Sequence, residues 1–145
     1  MHASVRLIES AAGMAFEGTT EAGHRVVMGV AGEVGGADAG PRPMEMLLLG
    51  LGGCSGVDVV HILRRGRHAV SACAVEVEAR RAGQPPQVFE SIHLVFHLRG
   101  DGLGQAAAER AVRLSAEKYC SASIMLGASA RISHEVRVAD AAAPA

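Results

Sequence analysis

The sequence predicts a single α+β domain over residues 1–138, in the order βββ–α–ββ–α–β with antiparallel sheets, followed by a flexible tail at 139–145. Three observations lead there. Apolar and polar residues alternate in several separate stretches, the period of half-buried strands. One long apolar segment begins at Pro43 and stops at Gly66, as a helix would. The strand-like stretches come in runs with only two helices between them, which points to antiparallel pairing with the helices gathered on one face.

Taken in order, Val5, Leu7 and Glu9 alternate against Arg6 and Ile8 before Gly13 interrupts them. Residues 14–16 make a second short strand, GTTEAG at 18–23 a turn-rich connection, and residues 24–30 a third strand. GEVGGADAGPRP at 32–43 is a Gly/Pro-rich loop, of the kind that is either mobile or functional.

Pro43 then stands where proline suits the first turn of a helix, and Glu45 where a carboxylate suits the helix dipole. The helix is predicted to reach Arg64 or Arg65, with Gly66 as the stop. It is apolar nearly all round, so it should be covered on most sides. Gly50, Gly52, Gly53 and Gly56 each cost about 1 kcal/mol of helix propensity against Ala, a cost that close approach of another backbone or helix would offset. Its apolar surface exceeds what one small sheet can cover, which suggests a homodimer with this helix between the protomers.

Two longer strands follow. In residues 70–80, Cys73, Val75 and Val77 share one face and Ala74, Glu76 and Glu78 the other. A turn at 83–86 leads to residues 88–99, with Ile92, Leu94, Phe96 and Leu98 toward the core and His93, His97 and Arg99 outward. A second helix over 103–119 presents Ala108, Ala111, Val112, Ser115 and Tyr119 at helical spacing. The last strand, 130–138, alternates Ile132, His134, Val136 and Val138 against Arg131, Ser133, Glu135 and Arg137.

Composition excludes several functions. There is no Trp, one Tyr and three Phe, too few for an aromatic platform on single-stranded nucleic acid. A formal charge of −1 leaves no basic footprint for a duplex or an anionic membrane. The apolar segment 44–63 is broken mainly by Glu45, Asp58 and His61, and its uninterrupted part, 46–57, falls short of the roughly 20 residues a spanning helix needs. Neither nucleic acid nor membrane is an expected partner. MHASVRLIES lacks a basic segment followed by an apolar run, so no signal peptide is expected and the reducing cytosol is the expected compartment. Three widely spaced Cys residues form neither a CxxC pair nor a zinc-finger spacing.

The thiols are what could carry chemistry. Cys54 sits in LGLGGCSGVDVV, where Gly52, Gly53, Ser55 and Gly56 leave room beside the sulfur for a ligand or a second chain; alternatively it simply packs. Cys120, in SAEKYCSASIML, falls at the end of the second helix before a Ser/Ala turn, either accessible or merely a small corner residue. Cys73 reads as core. A reactive thiol needs positive charge or donors to hold its thiolate, for which Arg25, His24, His61 and Lys118 are candidates. Sequence spacing does not bring Cys54 and Cys120 together.

GPRPMEMLLLGLGGCSGVDVVHILRR (40–65), followed by AVRLSAEKYCSASIMLG (111–127), resembles the OsmC/Ohr family, and more closely its OsmC-like branch. The resemblance implies an OsmC-like fold, an intertwined homodimer and paired sites at the interface. It implies that Cys54 is the peroxidatic and Cys120 the resolving cysteine in the reduction of organic hydroperoxides, with an external dithiol restoring the pair and no metal or flavin required. Two positions depart from the Ohr pattern. The Glu ten residues before the first Cys is replaced by Met44, with Glu45 one residue nearer and about 100° round the helix. No residue falls clearly on the family's arginine; Arg25 is the nearest candidate. Apolar lining from Met46, Leu47, Leu51 and Met125 would favour organic peroxides. The alternative is an OsmC-like dimer that binds a small molecule or serves in redox stress with little or no peroxidase turnover.

Overall fold

Alternation of β-branched and polar residues produces strands from the first residues onward. In the computed structural model, which describes residues 1–140, β1 (Ala3–Ser10) folds back on β2 (Gly13–Thr20), which pairs in turn with β3 (Arg25–Met28). Both pairings are antiparallel. Gly13 makes the tight turn: its φ is +117°, and a Cβ there would meet the Gly35 carbonyl oxygen at 2.8 Å. The second strand is longer than its predicted 14–16, because pairing on both sides carries the ladder through Gly18 to Thr20. The Gly/Pro-rich stretch is tied down rather than loose. The N–H groups of Met14 and Ala37 bond the carbonyls of Gly35 and Met14, and Gly29 N–H bonds Pro41 O at 3.0 Å. These strands belong to the first of two compact units, Met1–Leu47; the second begins at Leu48.

The long helix α1 (Pro43–Arg65) has the predicted limits. One face is buried, with Leu51, Ser55, Val59 and Leu63 at every fourth position. The other is not: Leu49 is 61% and Val57 71% exposed. The expectation that the helix is covered on most sides therefore fails within one chain. Its glycines divide accordingly. A Cβ on Gly52 would lie 3.1 Å from Val77 and one on Gly56 3.4 Å from Val75, so these two let α1 seat on the next sheet, while Gly50 and Gly53 face open space. By length and composition alone α1 could cross a membrane, as could the core helix of a soluble protein.

That sheet contains β4 (Ala72–Arg81), β5 (Phe89–Arg99) and β6 (Arg131–Ala139), in that order. Register sets Val77, Leu94 and His134 in one row and Val75, Phe96 and Val136 in the next. Ile92, Leu94, Phe96 and Leu98 are fully or nearly fully buried, as their alternation predicts. The antiparallel expectation has one exception: β6 runs parallel to β5, because the chain crosses over through helices before returning to the sheet. Ala139, predicted to begin the tail, pairs with Arg99 at the end of β6; the tail from 141 to 145 lies outside the described residues.

The predicted helix over 103–119 is two pieces and continues into a third. α2 (Gln105–Leu114) buries Ala108, Ala111 and Val112, then widens into a π-helical turn over Ser115–Tyr119. Cys120 is extended (φ −72°, ψ 100°) and starts α3 (Ser121–Gly127), which replaces the predicted Ser/Ala turn. A seven-residue helix is too short to show the 3.6-residue apolar period by which sequence reveals helices.

Candidate functional site

The fourfold spacing of α1 places Ser55 on its buried stripe, with Cys54 beside it at the edge and Asp58 one turn beyond Cys54. From the far end of the crossover, Cys120 reaches the same spot. Cys54 Sγ, Cys120 Sγ and a carboxylate oxygen of Asp58 all lie within 4.8 Å of one another. The fold thus joins the two cysteines that sequence spacing left apart.

The structure decides between the alternatives that the sequence left open for each thiol. Cys54, in mid-helix, is half-buried and keeps access to a solute; Cys120, which could have been an accessible corner residue, is completely buried. The reason lies in α3. Cys120 is its N-cap residue, with Sγ accepting a hydrogen bond from Ser123 N–H at 3.4 Å, so the sulfur points inward against the helix start. Ser55 Oγ lies 3.3 Å from Cys120 Sγ and 3.4 Å from Ser123 Oγ. Ser115, on the π-helical turn, donates its hydroxyl to Asp58 Oδ2 at 3.4 Å.

These contacts split the two thiols electrically. Burial works against ionisation of Cys120, but the hydroxyls of Ser123 and Ser55, the Ser123 N–H and the Cys54 thiol outweigh it and hold this group below the usual thiol value. At Cys54 the largest single influence, the Ala122 N–H, acts to lower the thiol. The hydrogen bond to Cys120, partial burial and the charges of Cys120 and Asp58 together prevail and hold it above the usual value. Of the two thiols the buried one is therefore the more readily ionised, with Cys54 placed to donate its proton toward it. The half-exposed sulfur can meet a solute, and the buried one can accept its proton or bond to it.

Other residues singled out in the sequence go elsewhere. Glu45 Oε2 accepts the Arg42 N–H at 2.8 Å, closing the first turn of α1 as a helix cap. It stands about 13 Å before Cys54 along the helix axis, so support of that thiolate from within the helix is excluded. Arg25 Nη2 meets Glu17 Oε1 at 2.6 Å beside Arg6 at 2.7 Å, a triad that keeps the Glu17 carboxyl below its usual value through hydrogen bonds from Arg25 first and then Arg6. Lys118 lies over the Tyr119 ring, and His61 is exposed. Leu51 is completely buried and Met125 is 75% exposed, so the two do not line one apolar pocket as predicted. Cys73 packs toward Gly56, and burial pushes its thiol up. Sequence reading gave Ser55, Asp58, Ser115 and Ser123 no hydrogen-bonding role beside the thiols. A signal existed: Ser55 and Asp58 are polar residues inside an otherwise apolar helical stretch.

Comparisons with known proteins agree with this architecture. The model of the OsmC-like protein family matches residues 35–135. Protein YhfA of Escherichia coli K12 is 41% identical over 138 residues, 95% of this chain and 98% of its own. A crystal structure of a protein from Aquifex aeolicus VF5 is 32% identical, with a TM-score of 0.75 over 96% of this chain and 98% of that one. The organic hydroperoxide resistance protein OhrB of Bacillus subtilis shares the fold at a TM-score of 0.60 and 18% identity, covering 94% of this chain and 98% of its own.

Proposed function

The chain belongs to the OsmC-like family, and on that premise we propose that it reduces organic hydroperoxides through Cys54 and Cys120. The observation that carries the reading is the pairing of a half-exposed sulfur with a buried one whose ligand atoms lie within 4.8 Å. That a structural neighbour is named for organic hydroperoxide resistance supports the choice of substrate.

In this mechanism Cys120 takes the Cys54 proton as the hydroperoxide arrives. The Cys54 thiolate attacks the outer peroxide oxygen, the O–O bond breaks, and the alkoxide takes the proton from Cys120 and leaves as alcohol. Cys54 is now a sulfenic acid and Cys120 a thiolate. Cys120 attacks the Cys54 sulfur, hydroxide leaves and is protonated to water, and a disulfide forms. An external dithiol reduces it by exchange. Cys120 is thus first a base, then an acid, then the resolving nucleophile.

The working unit is a homodimer. The open face of α1, with Gly50, Gly53 and the 71%-exposed Val57, offers apolar surface that a second copy would cover. The compartment is the reducing cytosol, where such a pair is recycled.

Treating the reduced protein with one equivalent of cumene hydroperoxide and following free thiols and intact mass tests the reading. Two thiols should disappear with a loss of about 2 Da, and Cys54→Ser or Cys120→Ser should abolish it. The raised Cys54 thiol favours a second reading, in which the dimer binds a small molecule and the thiols are idle. No rapid loss of thiols, together with alkylation of Cys54 no faster than free cysteine, would establish that reading in place of the first.

A further inference from the structure

Cys54 and Asp58 are one helical turn apart on the same side of α1, and Cys120 is fixed against them by the start of α3. We infer that the reduced protein binds one thiophilic divalent cation, zinc in kind, through Cys54 Sγ, Cys120 Sγ and an Asp58 carboxylate oxygen. The fourth position is open to solvent.

Three features support the site. The first is distance. Zinc bonds of about 2.3 Å to sulfur and about 2.0–2.2 Å to oxygen set tetrahedral ligand atoms roughly 3.6–3.8 Å apart. The three atoms here already lie within 4.8 Å of one another, at most about 1 Å beyond that spacing. The second is the surrounding shell. Ser115, 1% exposed, orients Asp58, while Ser55, 2% exposed, and the Ser123 N–H orient Cys120. Such hydrogen bonds behind the ligands fix their direction and are what a metal site requires beyond the ligands themselves. The third is charge. Two thiols and a carboxylate converge, and among the described residues Asp58 enters no ion pair. Two thiolates choose zinc over magnesium or calcium, whose preferred ligands are oxygens. The half-exposed Cys54 leaves a way in and a place for a bound water.

Metal and peroxide compete for the same sulfurs. While the ion is bound, both thiolates are engaged and peroxide cannot oxidise Cys54. Once the ion has dissociated, one hydroperoxide and two protons convert the two thiolates into the disulfide, one alcohol and one water, and the ion can no longer rebind. This loss of the site on oxidation rests on the proposed peroxide chemistry; the binding does not.

The test uses cobalt(II) as a spectroscopic stand-in, added under anaerobic conditions to the reduced, chelator-stripped full chain. One cobalt per chain should bind with a thiolate-to-cobalt charge-transfer band, and zinc should bleach it. Cys54→Ser and Cys120→Ser should each diminish the band. Asp58→Asn, which keeps both thiols, should weaken binding at least about tenfold, the range in which losses around metal sites fall. Circular dichroism checks that each variant is folded. As a readout on the unaltered protein, zinc should slow the reaction of its thiols with Ellman's reagent. Absence of the band, a band indifferent to Asp58→Asn in a folded variant, or thiols that react at the same rate with zinc would each overturn the site. Peroxide consumption is measured separately. Cobalt binding without peroxide turnover upholds the site and removes the peroxidase reading; turnover without cobalt binding does the reverse.

Discussion

Replacing Cys120 separates its two duties, because serine can inherit one of them and alanine neither. Cys120 is completely buried, caps α3 by accepting the Ser123 N–H, and lies 3.3 Å from the Ser55 hydroxyl. In Cys120→Ala the cap is lost, at about 0.5–2 kcal/mol. The Ser55 hydroxyl, itself 2% exposed, also loses a partner, and a buried polar group left without one costs about 1–3 kcal/mol. Ser55 retains Ser123 Oγ at 3.4 Å, so the second loss falls toward the low end. The sum is about 2 kcal/mol, or a fall in Tm of roughly 4–10 °C for a chain of this size. Cys120→Ser keeps a good cap and a hydrogen-bonding oxygen, so its loss should stay under about 1 kcal/mol. Both variants abolish the disulfide, and both should stop at sulfenic acid on Cys54, with a gain of about 16 Da that forms more slowly than the disulfide does in the unaltered protein because the base is gone. Urea or thermal unfolding at one fixed protein concentration, followed by intact mass, measures both effects. Equal destabilisation by Ser and Ala would refute the capping role. A disulfide that persists in either variant would refute the pairing of Cys54 with Cys120.

Two further outcomes follow from other parts of the fold. His134 faces the buried side of its sheet against Phe96, with ring centroids 6.3 Å apart, and burial first and then the nearby His93 hold its pKa below the usual 6.5. The unfolded chain therefore binds this proton more readily, so stability is full above about pH 6.5 and falls as the pH drops through that value toward the folded pKa. His134→Gln should remove this part of the slope in unfolding experiments across that range; an unchanged slope would show that His134 does not cause it. Val57, 71% exposed on the open face of α1, should be covered in the homodimer. Val57→Glu should give a folded monomer by sedimentation equilibrium, and a variant that remains dimeric would exclude this face as the interface.

Much of this architecture was legible as local pattern. Pro43, Glu45, Arg64 and Arg65 mark the two ends of α1, since capping and dipole effects act within one turn. Ile92, Leu94, Phe96 and Leu98 announce their buried face by period 2, because a strand's side chains alternate whatever it pairs with. Where expectation failed, a nonlocal partner decided. The break at Ser115–Tyr119 and the start of α3 at Cys120 interrupt a stretch whose apolar spacing reads as one helix. The parallel placement of β6 follows from the crossover, and alternation along a strand carries no information about the direction of its neighbour. Glu45 became a candidate thiolate partner through its place one residue from the Ohr family's Glu, and its hydrogen bond from the Arg42 N–H is the local capping role that its position in the first turn already suggested.

By itself the sequence determined most of the elements, the apolar faces of the longer ones and the family, because each depends on residues near one another in the chain or on recurring motifs. Only the tertiary structure decided which cysteine is buried, and that Ser55 and Cys120, 65 residues apart, meet at hydrogen-bond distance with Asp58 beside them. The physical reason is that exposure and ionisation of a thiol are set by what the rest of the chain packs around it. For Cys120 that surrounding is the start of a short helix, and it draws the sulfur out of solvent and gives it the donors that lower its pKa.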